Sequence, residues 1–290
     1  MTLATDRWPA FAERSAGGRP GSGVLVVWRL ELAKLRGQFR VRAIAAGCLV
    51  VPFLAVVGLN LQSSTPGDTP FGQWVHASGF AIPMVILGFG AQWLLPVLAA
   101  VVAGDIFSSE DHFGTWKTIL TRSRSRGQLF AGKFLAAATF AASAVVLLTA
   151  TDLVAGLLAG TQPVVGLSGQ LVPAGHAAGL VVASWASELP PVLGFTSVAV
   201  MLSVVSRNSV VGIGGPALIA LVLQIVTLIS LPAWGQMALI STPFMAWHGF
   251  WVHPAFYGPF LAGLVTCAGW FVICAGVAWL VFRRRTIGAA

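Results

Sequence analysis

The chain has 290 residues, of which 57% are hydrophobic and only 9% charged, against roughly 25% charged in an ordinary soluble domain. Such a composition cannot cover a water-facing surface, which excludes a soluble fold and leaves room for six bilayer crossings of about 20 apolar residues each. The net charge of +8 does not point to nucleic acid: no nucleic-acid-binding motif accompanies it, and the basic residues flank apolar runs.

Residues 1–23, rich in Gly, Pro, Ser and Arg, lack the early apolar core of a secretion signal and read as a disordered cytoplasmic tail. From 24 to 40, apolar residues recur at helical spacing with Trp28, Arg29, Glu31 and Lys34 among them. This segment is too short and too charged to span, and reads as an amphipathic interface helix leading into the first crossing. A simple membrane-surface anchor and a docking element both fit it.

Spans are predicted at about 41–59, 80–104, 130–158, 180–205, 210–230 and 258–282, so the six-helix transmembrane domain occupies 41–282. With the N-terminus inside, all seventeen Lys and Arg fall in or beside the inner segments 1–40, 105–129, 206–209 and 283–290, and the three outer loops contain none. Six acids share the inner side, a surplus of eleven positive charges there. That asymmetry sets the orientation: an all-α membrane protein with both termini cytoplasmic and a short cytoplasmic tail at 283–290. The expected location is the cell membrane, as a multi-pass protein.

The longest inner loop holds Ser108 and Ser109 followed by Glu110 and Asp111, a helix start in which a hydroxyl caps free amides and the acids suit the positive helix end. Phe113, Trp116 and Leu120 then fall at i, i+3 and i+7, giving this cytoplasmic helix, at about 105–117, an apolar side that needs a partner. It either lies flat on the bilayer or serves as a knob for a soluble protein.

Asp152 and Glu188 lie within predicted spans at comparable distances from their outer ends. Two readings stand: hydrated acids of the interfacial zone, or acids facing a cavity or partner in a translocation pathway. Pro190 and Pro191 interrupt helical hydrogen bonding just after Glu188 and predict a kink there. Gly212, Gly214, Gly215 and Pro216 give the fifth span an adaptable start. The third outer loop, 231–257, has no charged residue but carries Trp234, Trp247, Trp251, Phe244, Phe250, Phe256 and Tyr257; it reads as a re-entrant segment dipping into the outer leaflet, or as a loop bearing an aromatic belt.

Gly127 to Lys133 imitates a phosphate-binding loop, G-x-x-x-x-G-K, but Phe134 stands where Ser or Thr must ligate the metal and the stretch enters a membrane helix, so ATP binding by this chain is rejected. His248 and His253 are five apart without an acidic partner, which fits no zinc pattern. Cys48, Cys267 and Cys274 read as core residues, since the last two lie about 10 Å apart along one helix, too far for a disulfide. No catalytic constellation stands out, so the chain is not expected to be an enzyme by itself.

At the inner loop, Glu110, Gly114-Thr115, Ile119-Leu120, Ser125-Arg126 and Gly132-Lys133 resemble the signature of ABC-2 type transporter permeases, in which a short cytoplasmic helix joins the second and third spans. Ser123 or Arg124 stands where many members have proline. The layout of lead-in helix, six spans and re-entrant outer segment is similar too. The resemblance implies a type V exporter-like ABC-2 fold, dimerisation with a second permease chain, identical or not, and two copies of a separate ATP-binding subunit that holds ATP and Mg. It further implies a coupling helix with Phe113 and Trp116 in a groove of the ATPase, Gly114 and Thr115 in the motif, and Glu110 and Arg126 at the polar margin. The aromatic outer loops without basic residues suit export of a hydrophobic or amphipathic compound, such as a drug, a peptide antibiotic or a lipid. The rival readings are a proton-coupled secondary transporter using Asp152 and Glu188, and a non-transporting membrane anchor.

Overall fold

The computed structural model describes residues 20–116, 125–226, 229 and 231–285, with the backbone alone for 20–22. The predicted tail over 1–19, Ile119 and Leu120, the turn at Ser123 and Arg124, and residues 286–290 lie outside them. The described chain is helical apart from one two-residue strand pair, and six helices or helix pairs are long and apolar enough to cross a membrane.

Helix α1 (Pro20–Gly37) bends at Gln38 into α2 (Phe39–Leu61). A loop closed by Phe71 and Val75 leads to α3 (Ala81–Ala103), which ends in the short α4 (Ser108–His112). Helix α5 (Arg126–Ala159) opens with a reciprocal cap: the Ser125 hydroxyl accepts from the Gln128 amide at 3.2 Å and the Gln128 side chain accepts from the Ser125 amide at 3.2 Å. Both bonds satisfy amides that a helix start leaves free. A small antiparallel pair, β1 (Val164–Val165) and β2 (Leu171–Val172), precedes α6 (Ala174–Ala186) and α7 (Leu189–Ser206). These two form one broken span whose bend at Ser187 and Glu188 lies immediately before the two prolines that cannot donate backbone hydrogen bonds. Arg207, in the left-handed conformation, and Asn208, whose side chain accepts from the Val210 amide at 2.8 Å, turn the chain into α8 (Ser209–Val226). After α9 (Ala233–Ala238) and a 3-10 segment from Thr242 to Phe250, α10 (Gly258–Arg284) completes the bundle.

Helix α7 is central, packed on α3, α8 and α10, and buries Phe195, Val198, Ala199 and Val200. By contrast, α2 and α10 expose Leu49, Val50, Leu54, Val57, Val265, Val272 and Ile273, as lipid-facing helices do because acyl chains are as apolar as leucine.

Three expectations change. The cap of α4 is Phe107, without a side-chain bond, and the Ser108 hydroxyl instead reaches the Gly104 carbonyl at 3.0 Å and the Ser209 hydroxyl at 2.9 Å. Phe113 and Trp116 do not continue α4 as one helix: α4 stops at His112 and Gly114 turns the chain at φ +63. The glycines of the fifth span do not loosen its start. Helix α8 runs unbroken through Pro216, and Gly212 serves close packing, since a Cβ there would lie 2.1 Å from the carbonyl oxygen of Gly104 on the α3 turn.

We predict that Gly212→Val, by forcing these backbones apart, costs ~1–3 kcal/mol, whereas Gly214→Ala, whose Cβ meets nothing within 4 Å, is near neutral. Thermal unfolding of the detergent-solubilised variants measures the difference.

Candidate functional site

Buried residues of α1 recur every fourth position, at Gly23, Val27, Glu31 and Leu35, so one stripe of the helix lies on α5. Gly132 of α5 lets Val27 close in; a Cβ at 132 would lie 2.6 Å from that side chain. Trp28 fixes the helix further along, its indole donating to the Thr139 hydroxyl at 3.0 Å. Arg29 is on the exposed side.

This packing delivers Glu31 to a charge cluster buried at the same end of the bundle. Lys133 of α5 is 1% exposed, and its ammonium donates to Glu31 Oε1 at 3.0 Å, to Glu110 Oε1 at 2.9 Å and to the Ile106 carbonyl at 3.1 Å. Three acceptors around three donors satisfy a lysine that would otherwise be costly to bury. Lys34 bridges the same two acids from the rim, at 3.2 Å to Glu31 and 3.0 Å to Glu110, with about half of its side chain in solvent. Partial burial works against the Lys34 charge, but Glu31 and Glu110 outweigh it and raise its pKa above the ordinary lysine value. The Thr115 hydroxyl donates to the second Glu110 oxygen, so two lysines, two glutamates and one hydroxyl tie α1, α4 and α5 together.

The neighbouring acids anchor the elbow, formed by residues 104–116 between α3 and α5, to other spans. Asp105 pairs with Arg40 of α2 and accepts from the Ser209 hydroxyl of α8 at 2.5 Å. Asp111 pairs with Arg285, just beyond α10, at 2.8 Å and accepts from the Trp116 indole at 3.0 Å. Arg126 donates to the carbonyls of Arg283 and Arg285, each at 2.8 Å.

Trp116 is 6% exposed and packs within an aromatic cluster, 5.3 Å from Phe282 and 6.3 Å from Phe107. Lys133 also lies 5.8 Å from its ring centroid. Phe113 is 73% exposed at the tip of the turn. The elbow therefore presents Phe113 and Gly114 outward and uses Glu110, Thr115, Trp116 and Arg126 to hold itself to the bundle. Sequence reasoning did not single out Lys133, Asp105, Asp111 or Arg285 as elbow anchors; the one visible signal was an ionisable residue, Lys133, inside a membrane helix, where a charge needs a partner.

Gly127 to Lys133 is helical and Lys133 is engaged by carboxylates, which leaves no phosphate loop. Asp152 and Glu188 are both fully buried in the protein, not hydrated at its rim, and neither has a hydrogen-bond partner among the described residues. Pro190 and Pro191 begin α7 just beyond Glu188. No group of three or more His, Cys, Asp or Glu side chains able to hold a metal occurs among the described residues, and the three cysteines are free and buried.

The architecture is a bundle of six apolar spans with a charged elbow between the second and third. The family profile described as ABC-2 family transporter protein matches residues 28–227, and the chain belongs to that family. The chain is also similar to a probable ABC transporter permease protein, NosY, of Stutzerimonas stutzeri, with 30% identity over 123 residues. That match spans 42% of this chain and 42% of the relative's length. The family match takes in α2 to α8, the elbow and Glu188, and ends before α10.

Removing Lys133 would leave the buried Glu31 and Glu110 carboxylates sharing only the rim ammonium of Lys34. Lys133→Met is therefore predicted to lower stability by ~3–5 kcal/mol, and Lys34→Met, at the solvated rim, by no more than ~1 kcal/mol. Thermal denaturation of both variants in detergent gives the comparison.

Proposed function

We propose that this chain is the membrane permease subunit of an ATP-binding cassette exporter, moving a hydrophobic or amphipathic compound with energy from ATP hydrolysed by a separate subunit. ATP and Mg are held by that subunit, of which two copies would meet a pair of permease chains, identical or homologous. Family membership supports this reading over a proton-coupled transporter or a passive anchor. The elbow end faces the cytoplasm, where the excess of basic residues belongs, and α1 lies along that interface with Arg29, Lys34, Leu25 and Leu30 on its outward side. The segment at 231–257 then occupies the outer leaflet.

The single observation that carries the assignment is Phe113: a large exposed aromatic at the tip of a turn whose flanks are fixed by buried charges and by the Trp116 cluster. Exposed aromatics on rigid supports are what partner grooves capture. Closure of the ATPase would push this tip, and the load would pass through Lys133 to α5, through Asp105 to α2 and α8, and through Asp111 to the end of α10. A docked tip does work on the spans only by contacts that differ between their two arrangements.

Phe113→Ala is predicted to weaken co-purification of the ATP-binding subunit at least tenfold while leaving the thermal stability of the permease unchanged. Trp116→Ala should instead destabilise the permease, because it empties a buried site. Undiminished capture by Phe113→Ala would overturn the docking assignment.

A further inference from the structure

Buried polar side chains in folded proteins are nearly always hydrogen-bonded, and a cluster of exceptions calls for an explanation. Among the described residues, ten buried side-chain atoms have no hydrogen-bond partner. Five of them belong to two stretches that pack on each other: both oxygens of Glu188 and the indole nitrogen of Trp185 at the α6–α7 bend, and the Ser241 hydroxyl and Trp247 indole nitrogen in the segment between α9 and α10. All four residues are at least nine-tenths buried, Glu188 completely.

The contact between the stretches is direct. Trp251 donates from its indole to the Ser184 hydroxyl at 2.9 Å. The Phe195 and Phe244 rings are 5.9 Å apart, and a Cβ on Gly194 would lie 2.9 Å from the Ile240 side chain. On its other side the segment rests on α10, where a Cβ at Gly263 would meet Pro243 at 3.0 Å. The segment is thus wedged between the broken span and the last span, and the bend that carries Glu188 is the one point where the fourth span interrupts its helix.

Asp152 is the other buried acid without a partner among the described residues, but it sits in the continuous helix α5, beside Thr151, whose hydroxyl donates to the Cys48 carbonyl at 2.8 Å. Glu188 differs in that its own bend also carries the unpaired Trp185 indole, and the segment packed on that stretch carries the unpaired Ser241 and Trp247 donors and the Phe244 ring that meets Phe195.

We propose that the α6–α7 bend and the wedge at Ile240–Trp251 form a binding site for an amphipathic organic cation, in which Glu188 takes the cationic group. The inference rests on the permease reading and names its substrate class. A desolvated carboxylate needs a donor and is stabilised most by one that brings a positive charge. The aromatic faces hold both the apolar body and the cation. The Trp185 and Trp247 indoles and the Ser241 hydroxyl are donors for a carbonyl or ether oxygen of the same ligand. Parting of the wedge from the bend admits the ligand, and its return leaves these groups closed against one another as they are here.

The test uses rhodamine 6G, a fluorescent amphipathic cation, and Nile red, an uncharged dye, with the full chain in detergent and binding read by fluorescence anisotropy. Wild type is expected to bind rhodamine 6G saturably, and Glu188→Gln to bind it at least tenfold more weakly with Nile red affinity unchanged. Equal rhodamine 6G affinity in the two proteins, or an equal loss for both dyes, would overturn the proposal. A second measurement needs no variant: dicyclohexylcarbodiimide labels buried carboxyls in wild type, and peptide mass spectrometry reports each adduct. Saturating rhodamine 6G is expected to protect Glu188 several-fold and to leave Asp152 unprotected. Unchanged labelling of Glu188 would contradict the site. Because dye binding needs no ATPase and capture of the ATPase at Phe113 needs no dye, failure of one reading is distinguishable from failure of the other.

Discussion

A lysine buried in a membrane helix is the constraint on which the elbow end of this protein depends. Lys133 has almost no contact with solvent, and an ammonium in that position is tolerable only if its donors are all engaged. Meeting that requirement recruits Glu31 from α1, Glu110 from α4 and the Ile106 carbonyl from the turn between α3 and α4. The lead-in helix, the elbow and the third span are therefore positioned by one charge. The other elbow acids extend the arrangement, Asp105 toward α2 and α8 and Asp111 toward the end of α10.

The two ends of the bundle are built from different chemistry. At the elbow end, charges lock helices into a unit that holds the exposed Phe113 at its tip, which on the proposed reading suits the transfer of force from a partner. At the far end, closure is aromatic: Phe71 sits 4.8 Å from Trp251, and Phe195 lies against Phe244. Contacts of the latter kind are strong in area but tolerant of sliding, whereas charges buried with matched partners resist displacement. On the proposed reading, a wedge held by aromatic contacts and an elbow held by buried charges are a consistent division for a transporter pushed at its elbow end.

Much of this was legible in the sequence, because a span declares itself by length and hydropathy: all six were visible, although the fourth begins six residues earlier than expected, at Ala174. The bend before Pro190 and Pro191 follows from the missing amides, and the helical lead-in from its periodicity. The elbow was harder for a physical reason. Helical spacing put Phe113 and Trp116 on one exposed face, but Gly114 takes a positive φ and turns the chain, so Trp116 points into the Phe107 and Phe282 cluster. Glu110 was read as an acid at the polar margin of a partner's groove because its own partners lie 23 and 76 residues away, a pairing that only the folded chain creates. In the same way, hydration of Asp152 and Glu188 was a fair reading of their depth, and burial by neighbouring helices overrides it.

The central claim, that Lys133 and Glu110 act as a mutually dependent buried pair holding the elbow to the third span, is tested most directly by a double-mutant cycle. Thermal stability would be compared for wild type, Lys133→Met, Glu110→Leu and the double variant. The account predicts strong non-additivity: the double variant loses less than the sum of the two single losses, with a coupling above ~1 kcal/mol. Losses that simply add would show that the two groups do not depend on each other and would contradict the account.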